Sequence, residues 1–275
     1  MNALDVNQIA FNWPNARACV ERMDLAYETM ADLLPPGAHM ICNPKTKAQV
    51  VVLDEADCIS VFFCGSRCPE DFIHDGECWF NETGFKGHKM VEGNWSLNGA
   101  PAKIHHGFLF DFSSLEVQLL AHVARLLLPN PRKKIFVGGH SLGGALGIIG
   151  AEEFCRQSWN VSGVYTAGCP HVGNDIFAQI YNAMPATFPR KLGEITYCIE
   201  NANDIVTRVP LAIAGYRAVG QNIFLCAPNG VITNPHWWQT AKSDLAGIAR
   251  AICRRKDVLI HDHYLKDYAK RIQLL

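Results

Sequence analysis

Ser141 stands in Gly139-His140-Ser141-Leu142-Gly143, a G-x-S-x-G spacing set between the apolar run Lys134 to Gly138 and the helix-patterned stretch Ala145 to Gln157. A serine on so sharp a strand-to-helix turn has its hydroxyl raised above the sheet. The glycines two residues before and after it remove the Cβ atoms that would collide with the neighbouring strand and helix. The N–H of Leu142, at the helix start, points where an oxyanion would form on an attacked carbonyl and gains from the helix dipole. An incidental serine in a glycine-rich turn is the bland alternative, and the order strand, turn, helix argues against it.

A serine hydroxyl is a poor nucleophile at neutral pH, so the chemistry also demands a histidine base and a carboxylate to orient it, in the chain order Ser, Asp, His for this kind of turn. Asp204 follows the apolar run Ile195 to Ile199, and strand ends are where sheet-borne catalytic groups are displayed. Asp175, Asp244 and Asp257 compete less well because each lies in or beside a helical pattern. Only His236, His261 and His263 come after Asp204, and residue chemistry does not separate His261 from His263.

These groups need a scaffold, and strand-like and helix-like segments alternate along the chain. Met23, Tyr27, Met30 and Leu33 recur at helical steps and predict a helix over Val20 to Leu34, stopped by Pro35-Pro36-Gly37. Gln49 to Leu53 and Cys58 to Phe63, joined by Asp54-Glu55-Ala56-Asp57, read as an antiparallel hairpin. Gly76 to Pro101 is the least regular segment, glycine-rich with scattered aromatics. Ser114 to Leu128 reads as a helix closed by Pro129 and Pro131. Short apolar runs at Lys134 to Gly138, Val161 to Ala167 and Glu194 to Ile199 then alternate with helical stretches at Ala145 to Gln157 and Asn174 to Met184. A last hairpin around Val219 to Ala227 and helices near His236 to Arg254 and His263 to Ile272 complete the pattern. The alternation predicts an α/β fold with a mostly parallel central sheet and helices on both faces.

Composition sets limits on partners and compartment. The 275 residues are 49% hydrophobic and 19% charged, enough for one domain over residues 1–275 with a sizeable core. Net charge is −1, so no global field recruits nucleic acid or an anionic bilayer. No apolar run approaches the roughly 18 residues needed to span a bilayer, and any membrane contact would be interfacial or transient. The odd count of 11 cysteines and an N-terminus without a secretory pattern predict a reduced, cytoplasmic chain, with leaderless export as the other route. The cluster Cys64, Cys68, Cys78 with His74, His105 and His106 lacks the usual zinc spacing and reads as buried thiols rather than a metal site. Gly139 and Gly143 do not form a dinucleotide loop, and no cofactor motif is present. Arg254-Arg255-Lys256 reads as a solvated helix end, and His140 as a packing residue turned away from Ser141.

From about Ala26 to Tyr268 the chain resembles the class 3 (fungal-type) lipases, members of the α/β-hydrolase superfamily. Gly139 to Ala145 resembles their nucleophile motif, Thr166-Ala167-Gly168-Cys169-Pro170-His171-Val172-Gly173-Asn174 their T-F-G-x-P-R-V-G-N segment, and His105-His106-Gly107-Phe108 their H-x-G-F element. Asn203 to Pro210 resembles N-D-x-V-P-R-L-P, whose Asp is the triad acid, and Asp262-His263-Tyr264 with Tyr268 resembles the element carrying the triad histidine. The resemblance therefore implies a Ser141, Asp204, His263 triad and decides for His263 over His261. It implies a second oxyanion donor at Ser66, in Val61-Phe62-Phe63-Cys64-Gly65-Ser66, where Cys64 replaces the family's Arg. Asp71-Phe72-Ile73-His74-Asp75 resembles the D-W-x-x-D stretch leading to the lid, so residues 76–101 are expected to be a lid. Ala167, His171 and Thr207 depart from the pattern without removing a catalytic group. The implied activity is acylglycerol hydrolysis, with a soluble carboxylesterase, a feruloyl esterase or a phospholipase as close rivals. A catalytically silent binding protein of this fold is the rival from another class, and retention of all three triad positions speaks against it.

Overall fold

Cys58 to Phe63 and Val161 to Ala167 are apolar without a polar alternation, the pattern of strands covered on both faces. The computed structural model places them at the centre of a sheet and describes residues 1–8, 10–66, 90–202, 204–209, 215–226, 230–236 and 262–275. The first part of the chain forms α1 (Trp13–Leu25), β1 (Ala38–Cys42), β2 (Gln49–Asp54), β3 (Cys58–Phe63), β4 (Met90–Leu97), β5 (Ala100–His105) and α2 (His106–Leu127). The second part forms β6 (Lys134–His140), α3 (Leu142–Arg156), β7 (Val161–Ala167), β8 (Gly173–Asn174), α4 (Asp175–Ala183) and β9 (Thr196–Asn201). The two-residue β10 (Tyr216–Arg217), then β11 (Gln221–Cys226), β12 (Gly230–Thr233) and α5 (Leu265–Gln273) follow.

The main sheet has the order β1-β2-β3-β6-β7-β9-β11-β12. Its centre, β3 to β11, is parallel, and the edge pairs β1–β2, β2–β3 and β11–β12 are antiparallel. Side chains alternate between two cores. Ile59, Val61, Phe63, Ile135 and Val137 pack under α2, α3 and α4, while Phe62, Phe136, Tyr165 and Tyr197 pack under α1 and α5. Each such buried aromatic or aliphatic side chain contributes about 1.5–3 kcal/mol relative to exposure. The predicted layers and the mostly parallel sheet are therefore present: this is an α/β-hydrolase fold.

Several expectations are corrected. The first helix runs over Trp13–Leu25 rather than Val20 to Leu34: Asn12 caps it by accepting a hydrogen bond from the Asn15 N–H, and Pro14 sits in its first turn. Its buried stripe is Ala16, Cys19, Val20 and Met23, whereas Met30 and Leu33 are exposed. The helix expected from Ser114 begins two turns earlier, at His106, with Phe108 and Phe112 continuing its buried face. The hairpin expected around Val219 to Ala227 is present but lies further along, as the antiparallel pair β11–β12 over Gln221 to Thr233, with β11 also parallel to β9. Residues 90–101, expected to belong to an irregular lid, form most of the β4–β5 hairpin, and residues 76–89 lie outside the described set, as do 237–254 of the expected helix. That hairpin joins β8 and β10 in a second, antiparallel sheet of order β10-β8-β5-β4 that periodicity did not reveal. Its Asn98-Gly99 turn has positive φ at both residues, +51° and +80°, as a two-residue type I′ hairpin loop requires.

Glu152 on α3 is buried, and its Oε1 has no hydrogen-bond partner. Burial lifts its carboxyl from 4.5 to about 8; Arg156 opposes the shift, and Glu153 and Glu116 add to it. The folded state thus holds this proton more tightly than the unfolded one. The associated stability is complete below pH 4.5 and is lost as pH rises through about 8. Glu152→Gln is expected to raise Tm by a few degrees at pH 9, about 1–2 kcal/mol, and to leave it unchanged at pH 4. Thermal melts of both proteins across that range check it.

Candidate active site

Ser141 joins β6 to α3 with φ 58° and ψ −131°, a strained conformation for a residue with a Cβ, of order 1–3 kcal/mol. Close packing of β3, β6 and α3 imposes the turn. A Cβ on Gly143 would run into the Phe63 carbonyl, and one on Gly139 into Gly143. The Ser141 N–H donates to the Ala167 carbonyl at 2.9 Å, and the Ser141 carbonyl accepts from the Gly144 N–H at 2.9 Å. As first residue of α3, Leu142 has an N–H with no intrahelical partner. On the other side, a Cβ built on Gly65 would lie 3.2 Å from the Ser141 Cβ, so the chain leaving β3 toward Ser66 passes close to the nucleophile.

His263 Nε2 lies 2.8 Å from Ser141 Oγ, and His263 Nδ1 lies 2.8 Å from Asp204 Oδ2. All three residues are buried. A carboxylate only accepts, so Nδ1 carries the proton and Nε2 is left to take one from the serine. Asp204 accepts two further bonds, from the Tyr268 hydroxyl to Oδ2 at 2.6 Å and from the Val206 N–H to Oδ1 at 2.9 Å. Three donors offset the cost of burying that charge. Its loop is tied down by Thr207, whose hydroxyl donates to the Asp204 carbonyl at 3.0 Å, and by the Arg208–Glu200 ion pair back to β9. Burial still pushes the Glu200 carboxyl up, against the pull of Arg208.

The sequence-derived trio is therefore brought together from positions 141, 204 and 263, with Leu142 next to Ser141 in the chain and Gly65, the residue before Ser66, close to the Ser141 side chain. Asp175 is instead exposed at the start of α4, where it accepts from Gln179, and His236 is exposed beyond β12. Asp244, Asp257 and His261 lie outside the described residues. Among the described residues no three His, Cys, Asp or Glu side chains are grouped to hold a metal ion.

Two contributors were not anticipated. Gly168 has φ +61°, and a Cβ there would lie 2.9–3.0 Å from Asp204 Oδ2 and from His263 Cε1 and Nδ1. Gly168→Ala is expected to wedge the Asp–His pair apart, lowering kcat about 10- to 100-fold for a stability loss of about 1–2 kcal/mol; initial rates and thermal melts check it. His140, expected to be a packing residue, has both ring nitrogens within 2.7 Å of polar partners, the Tyr27 hydroxyl and the His263 carbonyl. No local pattern in the chain pairs residues 27, 140 and 263.

A strained serine between a parallel strand and a helix, hydrogen-bonded to a histidine held by a strand-end aspartate, places the chain among the α/β-hydrolases. The family described as Lipase (class 3) matches residues 60–213, more than half of the 275, and the chain belongs to that family. It is 28% identical over 170 residues to "Secreted mono- and diacylglycerol lipase 1" of Fusarium solani, covering 60% of this chain and 47% of that one. It is 29% identical over 147 residues to a lipase of Rhizomucor miehei, covering 52% and 37% respectively. The chain thus spans less than half the length of these curated relatives. Among solved structures, a lipase from Rhizopus microsporus var. chinensis superposes with a TM-score of 0.62 at 23% identity, covering 76% of this chain and 70% of that one. The Rhizomucor miehei triacylglyceride lipase gives 0.62 at 22%, covering 82% and 79%.

The cytoplasmic expectation is corrected by these relatives, since those of Fusarium solani and Malassezia globosa are named as secreted. The inference from thiols had no force. Cys19, Cys58 and Cys64 are buried, and burial pushes the Cys58 thiol up to about 12, so packing keeps such thiols unreactive in either compartment. No helix among the described residues is long and apolar enough to cross a membrane.

Proposed function

We propose that the protein is an extracellular serine hydrolase that cleaves carboxylic esters, with acylglycerols as its substrate class. The observation that carries this reading is the hydrogen-bonded line from Ser141 Oγ through His263 to Asp204, each span 2.8 Å. Ser141 attacks the ester carbonyl as His263 Nε2 takes its proton, and Asp204 holds the imidazole and its developing charge. The Leu142 N–H, with the Ser66 N–H and hydroxyl, stabilises the oxyanion. The tetrahedral intermediate collapses to an acyl-enzyme as protonated His263 passes its proton to the leaving alcohol. Water then attacks the acyl group with His263 again as base, and Ser141 is restored. The whole chain, residues 1–275, acts as one domain.

Substrate class follows from the relatives named as acylglycerol and triacylglyceride lipases and from the near-zero net charge, −1, which suits a neutral apolar substrate. The deciding measurement is hydrolysis rate against acyl-chain length, taken below and above the solubility limit of each ester. A lipase prefers medium or long chains and accelerates when substrate forms an interface. Preference for short soluble esters without that jump would replace the reading by a soluble esterase, and no turnover at any length by a silent binding protein.

A further inference from the structure

His140 closes β6 immediately before Ser141, yet its ring takes no part in the Ser141–His263–Asp204 line. Its Nε2 is 2.7 Å from the backbone carbonyl of His263, and its Nδ1 is 2.7 Å from the hydroxyl of Tyr27, just past the end of α1. The carbonyl can only accept, so Nε2 carries the proton; Nδ1 must then be the acceptor, and the Tyr27 hydroxyl the donor. Both polar ends of a buried imidazole are thereby satisfied by one tautomer.

The two partners of that ring are informative. His263 sits in the non-helical stretch before α5, where Tyr264 is the helix N-cap, so no helix or strand ladder holds its peptide. Its side chain is held by Asp204 and Ser141, and the Asp262 carbonyl before it accepts from Asn201 Nδ2 at 2.8 Å. The His263 carbonyl is held by His140. At the other end, the Tyr27 hydroxyl fills the space that a Cβ on Gly65 would enter, beside the segment that delivers Ser66. One chain of contacts thus runs from the Ser66 arm through Tyr27 and His140 to the peptide of the base.

We propose that Tyr27 and His140 are positioning residues for His263: the hydrogen-bonded path from Tyr27 through His140 to the His263 carbonyl sets where Nε2 stands relative to Ser141. This rests on the reading of His263 as the general base. The path works only while His140 is neutral with its proton on Nε2. Burial, with the charge of nearby His263 adding, pulls its imidazole down to about 3, so it remains in that state across the working range of an esterase. Misplacing a base by a fraction of an ångström slows proton transfer without altering acyl binding, so the effect belongs in kcat and not in KM.

Two substitutions separate the two bonds. Glutamine places an amide N–H near the position of Nε2 and asparagine places a carbonyl oxygen near Nδ1. His140→Gln therefore keeps the donor to His263, and His140→Asn keeps the acceptor for Tyr27. His140→Asn is expected to lower kcat about 10- to 100-fold with KM within about twofold, and His140→Gln to recover at least half of that loss on a logarithmic scale. Tyr27→Phe is expected to cost about 3- to 10-fold in kcat. Labelling with a fluorophosphonate, normalised to folded protein, counts competent sites and removes any effect of partial unfolding. Equal kcat for the Asn and Gln variants, or losses that vanish after normalisation, overturns the proposal. Imidazole ¹⁵N NMR of the wild-type protein reads the path without reference to activity. A neutral Nε2–H tautomer of His140 between pH 5 and 9 is expected, and a charged ring or an Nδ1–H tautomer overturns the proposal even in an active enzyme. Absence of ester hydrolysis with the expected tautomer intact would instead overturn the functional reading on which it rests.

Discussion

Ser141→Ala is expected to lower kcat for p-nitrophenyl ester hydrolysis by about 10⁴- to 10⁶-fold while the protein stays folded. The variant removes one atom, Oγ, and with it the acyl-enzyme. What survives is the environment: the proposed oxyanion donors and whatever binding the site offers the ester, which in enzymes of this kind retain modest catalysis over water. His263 Nε2 loses its partner 2.8 Å away, but the small space left by Oγ costs little because a methyl group remains. Tm should change by no more than a degree or two. Ser141→Gly is the companion variant. It is equally inactive and, because glycine relieves the φ of 58°, is expected to be more stable than the alanine variant by about 1 kcal/mol. Initial rates, fluorophosphonate labelling and thermal melts of the three proteins decide the matter. Activity of Ser141→Ala within tenfold of wild type would remove Ser141 from the mechanism.

The parts of this site legible in the chain are those whose signal is local. Ser141 lies within twelve residues that contain its strand, its turn and its helix, and Asp204 lies just beyond an apolar strand. The mostly parallel sheet with helices on both faces follows from alternating strand-like and helix-like runs, whereas the order of its strands does not. His263 is different. Its distinction from His261 depends on which imidazole reaches a serine 122 residues away, and periodicity carries no such information; only family resemblance selected it. Tyr27 and His140, 113 residues apart, were hidden for the same reason. Other misses had local signals. Asn12 with Pro14 marks a helix start ahead of the Met23–Leu33 periodicity, and Asn98-Gly99 is a strong hairpin signal inside a stretch whose aromatics and glycines suggested irregularity. The second sheet, built partly from two-residue strands at Gly173–Asn174 and Tyr216–Arg217, is too short in each piece to leave a pattern.

Asp204→Asn is expected to cost about 10⁴-fold in kcat with the fold preserved, through the protons of the site rather than its shape. In the wild-type protein Oδ2 accepts from His263 Nδ1 and Tyr268, and Oδ1 accepts from the Val206 N–H. An amide of the same size has one oxygen and one NH₂, and neither placement satisfies all three donors. With the NH₂ in the place of Oδ2, His263 must turn its tautomer so that Nδ1 accepts. Nε2 then bears a hydrogen toward Ser141 Oγ and cannot take the serine proton. With the oxygen in the place of Oδ2, the bonds from His263 and Tyr268 survive, but the NH₂ confronts the Val206 N–H inside a buried loop, at a cost of about 1–3 kcal/mol. In the first placement the Tyr268 oxygen, which already accepts from the Asn201 N–H at 2.9 Å, can take the amide hydrogen as well and only the hydroxyl hydrogen is orphaned, whereas the second sets two donors against each other, so the first is the one expected to dominate. Even in the second, a neutral amide does not stabilise the imidazolium that forms in the transition state. KM should change little, because the substitution keeps the size of a side chain buried behind His263. ¹⁵N NMR distinguishes the two directly: a proton on His263 Nε2 in the variant, against Nδ1 in the wild type, is the expected signature. A variant with near-normal kcat and an unchanged tautomer would show that Asp204 orients nothing.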